Sequence, residues 1–178
     1  KEIKTLDAGS WFDKKFYFAY PPSLNEVLSF CSNKILGINI ELKPNKGKEK
    51  ENVDAICSLI NQSDLHFQYF FSSFDYFSLK LIREKKLNYP LSFLIHSIKD
   101  MNHLDNIISK CRKLECFLVG LDLSLISESV VRKLKENNLK ISVFSNKSID
   151  YKTSLTLWNI GINTIFVDNP KFFKDIIK

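Results

Sequence analysis

The chain has 178 residues, 44% of them hydrophobic and 26% charged, a balance that suits one globular domain with a sizeable core and excludes a disordered chain. The net charge of +6, with a pI near 9.0, admits an anionic partner. The lysines, however, are spread along the chain, without an arginine cluster or an aromatic-interleaved basic strip. No nucleic-acid partner is expected from this pattern, and a small anionic substrate accounts for the charge equally well.

The apolar runs, such as Phe117–Leu121, fall far short of the ~20 residues of a membrane helix, so no integral membrane segment is expected. Position 1 is Lys, with no basic-then-apolar leader after it. The chain therefore reads as cut from something longer. Cys31, Cys57, Cys111 and Cys116 make no CxxC pair. They are expected to be free thiols in a reducing compartment, which gives a cytoplasmic location.

In chain order, residues 1–22 form an aromatic, turn-rich stretch running from Asp7-Ala8-Gly9-Ser10-Trp11-Phe12 to Phe16-Tyr17-Phe18-Ala19-Tyr20-Pro21-Pro22. Such a loop is either a lid near a site or a packed strut. A helix is predicted over Ser23–Cys31, with Ser23 as N-cap and Glu26 completing a capping box. From there to residue 178, short apolar runs alternate with amphipathic stretches. The runs, each apolar at nearly every position as in parallel strands covered on both faces, are Ile38–Lys43, Phe67–Ser73, Leu91–Ile95, Phe117–Leu121, Lys140–Ser145 and Thr164–Asp168. Helices are predicted over Asn52–Asn61, Tyr76–Lys86, His103–Leu114, Ser129–Asn138 and Tyr151–Ile160, with a short closing helix over Pro170–Lys178.

Strand–helix alternation of this kind leaves a doubly wound open sheet or a barrel. The absence of a Gly-rich phosphate loop after any strand weakens the open sheet. A barrel takes eight strands and about 250 residues. The reading is therefore α/β, a TIM (β/α)8 barrel of which this chain, residues 1–178, carries strands 3–8 with their helices as a single domain truncated at its N-terminus. Alone, such a fragment is expected to be inactive, with open edges on Ile38–Lys43 and Thr164–Asp168.

In a barrel the chemistry sits where the strands end. The most informative strand is Ile38-Asn39-Ile40-Glu41-Leu42-Lys43-Pro44, whose alternation puts Asn39, Glu41 and Lys43 on one face. An acid beside a base has to point into the mouth, because an unpaired charge in the apolar helix-facing layer costs several kcal/mol. A carboxylate next to an ammonium suits a divalent cation next to a phosphate. It suits equally a Glu–Lys salt bridge closing the barrel end.

In register along the chain, Leu6–Phe12, Pro22–Leu28, Asn39–Pro44 and Ser72–Asp75 resemble the glycerophosphodiester phosphodiesterase family, as do Leu139–Asn146 and Gly161–Pro170. That family is a TIM barrel hydrolysing glycerophosphodiesters to an alcohol and glycerol 3-phosphate with a divalent metal (Mg, Ca or Mn). The resemblance implies Glu41 as a metal ligand, Lys43 as a substrate-phosphate contact and Phe144 as an aromatic lining the pocket. It also implies that no catalytic residue lies in this chain, since the family's His-Arg-Gly, Glu-x-Asp and His-Asp motifs precede the equivalent of Lys1.

His66, His96 and His103 are no replacements. His66 opens a strand at the wrong end, His103 starts a helix, and His96 stands where the family has no functional histidine. One departure lies within the chain. The family's aromatic-Thr-Val-Asn appears as Phe144-Ser145-Asn146, one residue shorter, with a longer Lys147–Lys152 loop. That departure bears on substrate preference more than on fold. Ser72 and Ser73 lack a nearby base and read as packing hydroxyls, Asp168 as an N-cap, and Asp122 as a turn or cap residue.

The expected activity is metal-dependent hydrolysis of a small glycerophosphodiester, with a homo-oligomer allowed. The rivals are a non-catalytic barrel remnant binding an anion or a partner protein, and a phospholipase-type phosphodiesterase acting on intact lipid.

Overall fold

A computed structural model of the chain describes residues 2–32, 34, 37–85 and 88–173. They group into two compact units, one of Lys1–Ile38 with Ser58–Gln68 and one of Asn39–Cys57 with Tyr69–Lys178.

In the first unit, helix α1 (Leu24–Cys31) opens on the predicted capping box. The Ser23 hydroxyl accepts from the Glu26 N–H at 3.3 Å, and the Glu26 carboxylate accepts from the Ser23 N–H at 2.7 Å. The aromatic stretch before it is bonded to itself. Asp7 accepts the N–H groups of Gly9 and Ser10, each at 2.9 Å, and Ala8 N–H donates to Ala19 O at 2.9 Å. Gly9 sits so close to Phe16 that a Cβ would overlap the Phe16 carbonyl oxygen, so no larger residue fits that loop. With its polar groups satisfied internally, the loop turns its large side chains outward, and Trp11 is 83% and Phe18 87% exposed.

The second unit is built on a sheet of strands β1 (Ile38–Glu41, whose first residue belongs to the first unit), β2 (Tyr69–Ser73), β3 (Leu91–Ile95), β4 (Leu118–Asp122), β5 (Lys140–Phe144) and β6 (Thr164–Ile165). Their order in the sheet is their order in the chain. All pairs from β2 to β6 are parallel. Ile38 N–H donates to Gln68 O and Leu42 N–H to Ser72 O, an advance of four residues on both sides that makes β1 parallel as well. Between successive strands lie α2 (Glu49–Gln62), α3 (Tyr76–Glu84), α4 (Met101–Lys113), α5 (Glu128–Glu136) and α6 (Tyr151–Asn159).

This order decides between the two architectures left open by the sequence. A doubly wound sheet reverses its strand order partway, whereas right-handed crossovers repeated in one direction lay every helix on the same face. The side chains toward that face form the core: Phe71, Leu91, Val119, Leu121, Ile141 and Val143 are fully buried. On the opposite face the register brings together small residues, with Ser72 beside Ser92 and Gly120 beside Ser142.

Each helix from α3 to α6 starts on a side chain that accepts a backbone N–H, as N-caps do: Asp75, Asp100, Ser127 and Asp150. Residues in the left-handed region follow α4, α5 and α6, namely Glu115, Asn138 and Gly161.

The boundaries differ from expectation in physical ways. Helix α2 begins about one turn earlier, because its first turn is polar, with Glu49 and Glu51, and shows no apolar spacing. Strand β2 starts at Tyr69 rather than Phe67, so His66 precedes the strand and pairs with Asp64 at 3.2 Å instead. Strand β6 stops at Ile165, and Pro170–Phe173 is a 3-10 turn in which Lys171 N–H donates its capping bond to Asn169 Oδ1, not to Asp168. The rest of the predicted closing helix lies outside the described residues.

Two outcomes are expected from this packing. A Cβ at Gly120 would overlap Leu94 Cδ2 and come within 3.0 Å of Ser142 Oγ, so Gly120→Ala should cost about 1–3 kcal/mol as a lower thermal midpoint. An unchanged midpoint would show that Leu94 swings aside freely. In the first unit, Lys4 donating at 2.6 Å, and then Ser23, hold the Glu26 carboxyl down at about 2. A depressed folded-state value gives stability that is present above the unfolded value of about 4.3 and is lost as pH falls through the folded one. The Glu26 carboxyl carbon shift should accordingly keep its ionised position well below pH 4.3, whereas a midpoint near 4.3 would show that the Lys4 contact is not formed in solution.

Candidate functional site

The site rests on the second unit alone. In a flat sheet, β2 and β5 would stand three spacings apart, about 14 Å. Yet the rings of Phe74, just past β2, and Phe144, at the end of β5, meet edge to face with centroids 5.4 Å apart. The sheet therefore curls, and the C-terminal ends of its strands converge on a cleft of about 260 Å³.

Its polar wall is β1 and the residues after it, Asn39, Glu41 and Lys43. Its apolar walls are Phe74, Leu94, Phe144 and Phe166, and Asn146 joins from the turn after β5. The alternation of β1 explains the division: Ile40 and Leu42 are buried, while Glu41 and Lys43 face the cleft.

Lys43 Nζ lies 3.4 Å from Glu41 Oε1, so the salt bridge weighed from the sequence is present. It is a loose one. Glu41 Oε1 is buried and forms no hydrogen bond, and the Lys43 side chain is 74% exposed. An ion pair of that kind is worth on the order of 0–1 kcal/mol and is readily parted by a ligand. An exposed ammonium beside a carboxylate oxygen with unused lone pairs can hold an anion and a cation side by side. The orphaned oxygen fits a ligand for a hard divalent cation, while the described residues contain no group of three or more His, Cys, Asp or Glu able to hold a metal by themselves.

The remaining residues singled out in the sequence divide clearly. Phe144 lines the cleft. Ser73 is structural, donating to Leu42 O at 2.8 Å and accepting Asp75 N–H at 3.0 Å. Ser72 is buried beneath the cleft. Asp122 accepts Ser124 N–H as a cap, and Ser145 accepts Lys147 N–H. His96 and His103 lie off this cleft, on a neighbouring cavity.

Leu94 and Phe166 were not anticipated, although the signal was there. Counting by twos from Ser92 reaches Leu94, and from Thr164 reaches Phe166, the same face that carries Glu41.

Comparison with known proteins agrees with this geometry. The chain is 24% identical over 156 residues to a glycerophosphodiester phosphodiesterase of Arabidopsis thaliana, covering 80% of this chain but only 42% of that protein. It is 22% identical over 180 residues to a glycerophosphodiester phosphodiesterase of Caldanaerobacter subterraneus, covering 100% of this chain and 70% of that one. Among solved structures, it superposes with a TM-score of 0.84 and 28% identity on a phosphodiesterase of Oleispira antarctica in complex with the product sn-glycerol-3-phosphate, over 99% of this chain and 70% of the other. The sequence pattern of the Glycerophosphoryl diester phosphodiesterase family matches residues 1–172, and the chain belongs to that family.

Proposed function

We propose that the intact protein hydrolyses glycerophosphodiesters to an alcohol and glycerol 3-phosphate with the help of a divalent cation. The observation that carries this reading is the Glu41–Lys43 pair, loose, facing the cleft and leaving a buried carboxylate oxygen unbonded. The solved relative holding sn-glycerol-3-phosphate supports the choice of substrate. In this reading the six strands are strands 3–8 of an eight-stranded barrel, and the catalytic histidines come from the two preceding units. Four free cysteines, three of them buried, fit a reducing, cytoplasmic setting. Among the described residues no helix is long and apolar enough to cross a membrane.

Six of the eight cleft residues have a part in this chemistry. Lys43 offers a mobile point charge to the non-bridging phosphate oxygens. Phe74, Leu94, Phe144 and Phe166 exclude water around the phosphorus, which strengthens every charge interaction there. Glu41 would hold the cation through its unbonded oxygen, and a cation bound there would offset the negative charge that develops on the phosphate oxygens.

A second reading, cleavage of an intact phospholipid, is favoured by one observation. The first unit exposes Trp11, Phe12, Tyr17 and Phe18, more apolar surface than the sequence suggested.

The test is hydrolysis of soluble glycerophosphodiesters and of phospholipid vesicles by the intact protein and its Glu41→Gln variant, with Mg²⁺ or Mn²⁺ and with excess EDTA. Soluble diesters should turn over, EDTA should stop the reaction, and Glu41→Gln should lose at least ~100-fold in kcat/KM, about 2.7 kcal/mol, with its melting temperature little changed. Turnover unaffected by EDTA contradicts the metal, and a much lower melting temperature with activity retained makes Glu41 a structural partner. Turnover of vesicles alone favours the lipid reading, and turnover of neither favours a non-catalytic remnant.

A further inference from the structure

Beside the cleft lies a second cavity of about 130 Å³ that shares Phe74 and Leu94 with it. Each polar side chain of its lining can donate a hydrogen bond. His96 and Ser97 come from the end of β3, and His103 and Lys110 from α4. Seven residues are two helical turns, so His103 and Lys110 stand on one face of α4, one above the other. Among the described residues no aspartate or glutamate lines the cavity.

Carboxylates on these and the adjoining elements are already used: Asp105 pairs with Lys133 at 2.7 Å, and Asp122 accepts Ser124 N–H at 2.9 Å. Asp100 accepts His103 N–H at 2.7 Å, and Asp75 accepts Ser78 N–H at 2.8 Å and the Ser78 hydroxyl at 2.6 Å. His103 Nδ1 accepts Lys99 N–H at 3.2 Å, which leaves Nε2 to carry the proton of a neutral ring, so the free edge of the imidazole is a donor. The Lys110 ammonium lies 5.2 Å from the centre of the Tyr76 ring, a cation–π contact that helps fix the position of its charge. The His96 ring packs on Phe74 at 5.4 Å, on the partition between cavity and cleft.

We propose that this cavity is the subsite for the alcohol end of the diester, and that it selects a head group bearing a further oxyanion, a phosphate or carboxylate, over a quaternary ammonium. The proposal rests on the hydrolase reading given above. Donors with no facing carboxylate match acceptor oxygens, and the Lys110 charge disfavours a cationic head group. A ligand spanning both spaces would lay its scissile phosphate by Lys43 and its second anion by Lys110, on either side of Phe74. None of this was legible from His96 alone, because the partners it gains come from α4.

The experiment has two arms. In the first, kcat/KM of the intact protein is compared for glycerophosphoinositol 4-phosphate, glycerophosphoinositol and glycerophosphocholine. The phosphorylated diester should lead by about tenfold or more, and Lys110→Met and His103→Gln should each bring that ratio toward unity. In the second arm, inorganic phosphate is titrated against the protein while the ring nitrogens of His96 and His103 are followed by NMR. Saturable shifts at both rings, weakened by Lys110→Met, are expected. No preference among the diesters, or rings that ignore phosphate, would overturn the proposal. Failure to hydrolyse any diester, with the ring shifts intact, would sink the hydrolase reading and the head-group assignment while leaving an anion site in place.

Discussion

Charge cannot be hidden between a sheet and its covering helices, and in this chain that constraint aims the chemistry. Along β1 the side chains at Ile40 and Leu42 are buried, and the strand period of two then leaves Asn39, Glu41 and Lys43 only the other face. The strands are parallel and follow one another in chain order, so the last inward side chain of each arrives at the same rim. The curl of the sheet closes that rim around Glu41 and Lys43, bringing Phe74 against Phe144 across two intervening strands.

Beneath the rim the packing is unusual for a barrel interior, where branched aliphatic side chains dominate. Ser72, Ser92 and Ser142 are fully buried on or beside this face, and Gly120 makes room for Leu94. The hydroxyls of Ser72 and Ser92, together with Asn39 Oδ1 and Glu41 Oε1, are buried without a hydrogen-bond partner. Each such atom costs about 1–3 kcal/mol if nothing ever satisfies it. A sequence that keeps them in one column, from the middle of the sheet up to the cleft, departs from simple packing where function is expected to sit. Outside this face, Asn52 Oδ1 on α2 is also buried without a partner, while the aliphatic core between sheet and helices supplies the rigidity that holds the cleft residues in place.

Much of this was legible from residue order, for reasons that can be named. Doubly covered parallel strands such as Leu91–Ile95 are apolar at every position, and that strand has the expected bounds. The α1 capping box depends on two residues three apart, and it formed as read. Local signals of that kind survive folding.

Signals that arise only from convergence were harder to read. Phe74 and Phe144 are seventy residues apart in the chain, and nothing local says that their rings touch. His96 looked idle on β3, because His103 and Lys110 reach its cavity from α4. The polar first turn of α2 hid its start, and the cap before Pro170–Phe173 fell to Asn169 because its side chain, not that of Asp168, accepts the Lys171 N–H.

The central claim is that Glu41 and Lys43 form a site for a cation and a phosphate rather than a self-contained ion pair. Crystals of the intact protein soaked in Mn²⁺ and glycerol 3-phosphate, with anomalous data collected at the manganese edge, test it directly. The account predicts an anomalous peak about 2.0–2.4 Å from a Glu41 carboxylate oxygen, with Lys43 Nζ turned from Glu41 onto a phosphate oxygen. Phosphate in the cleft with no metal at Glu41, or a Glu41–Lys43 pair unchanged by the soak, would contradict it.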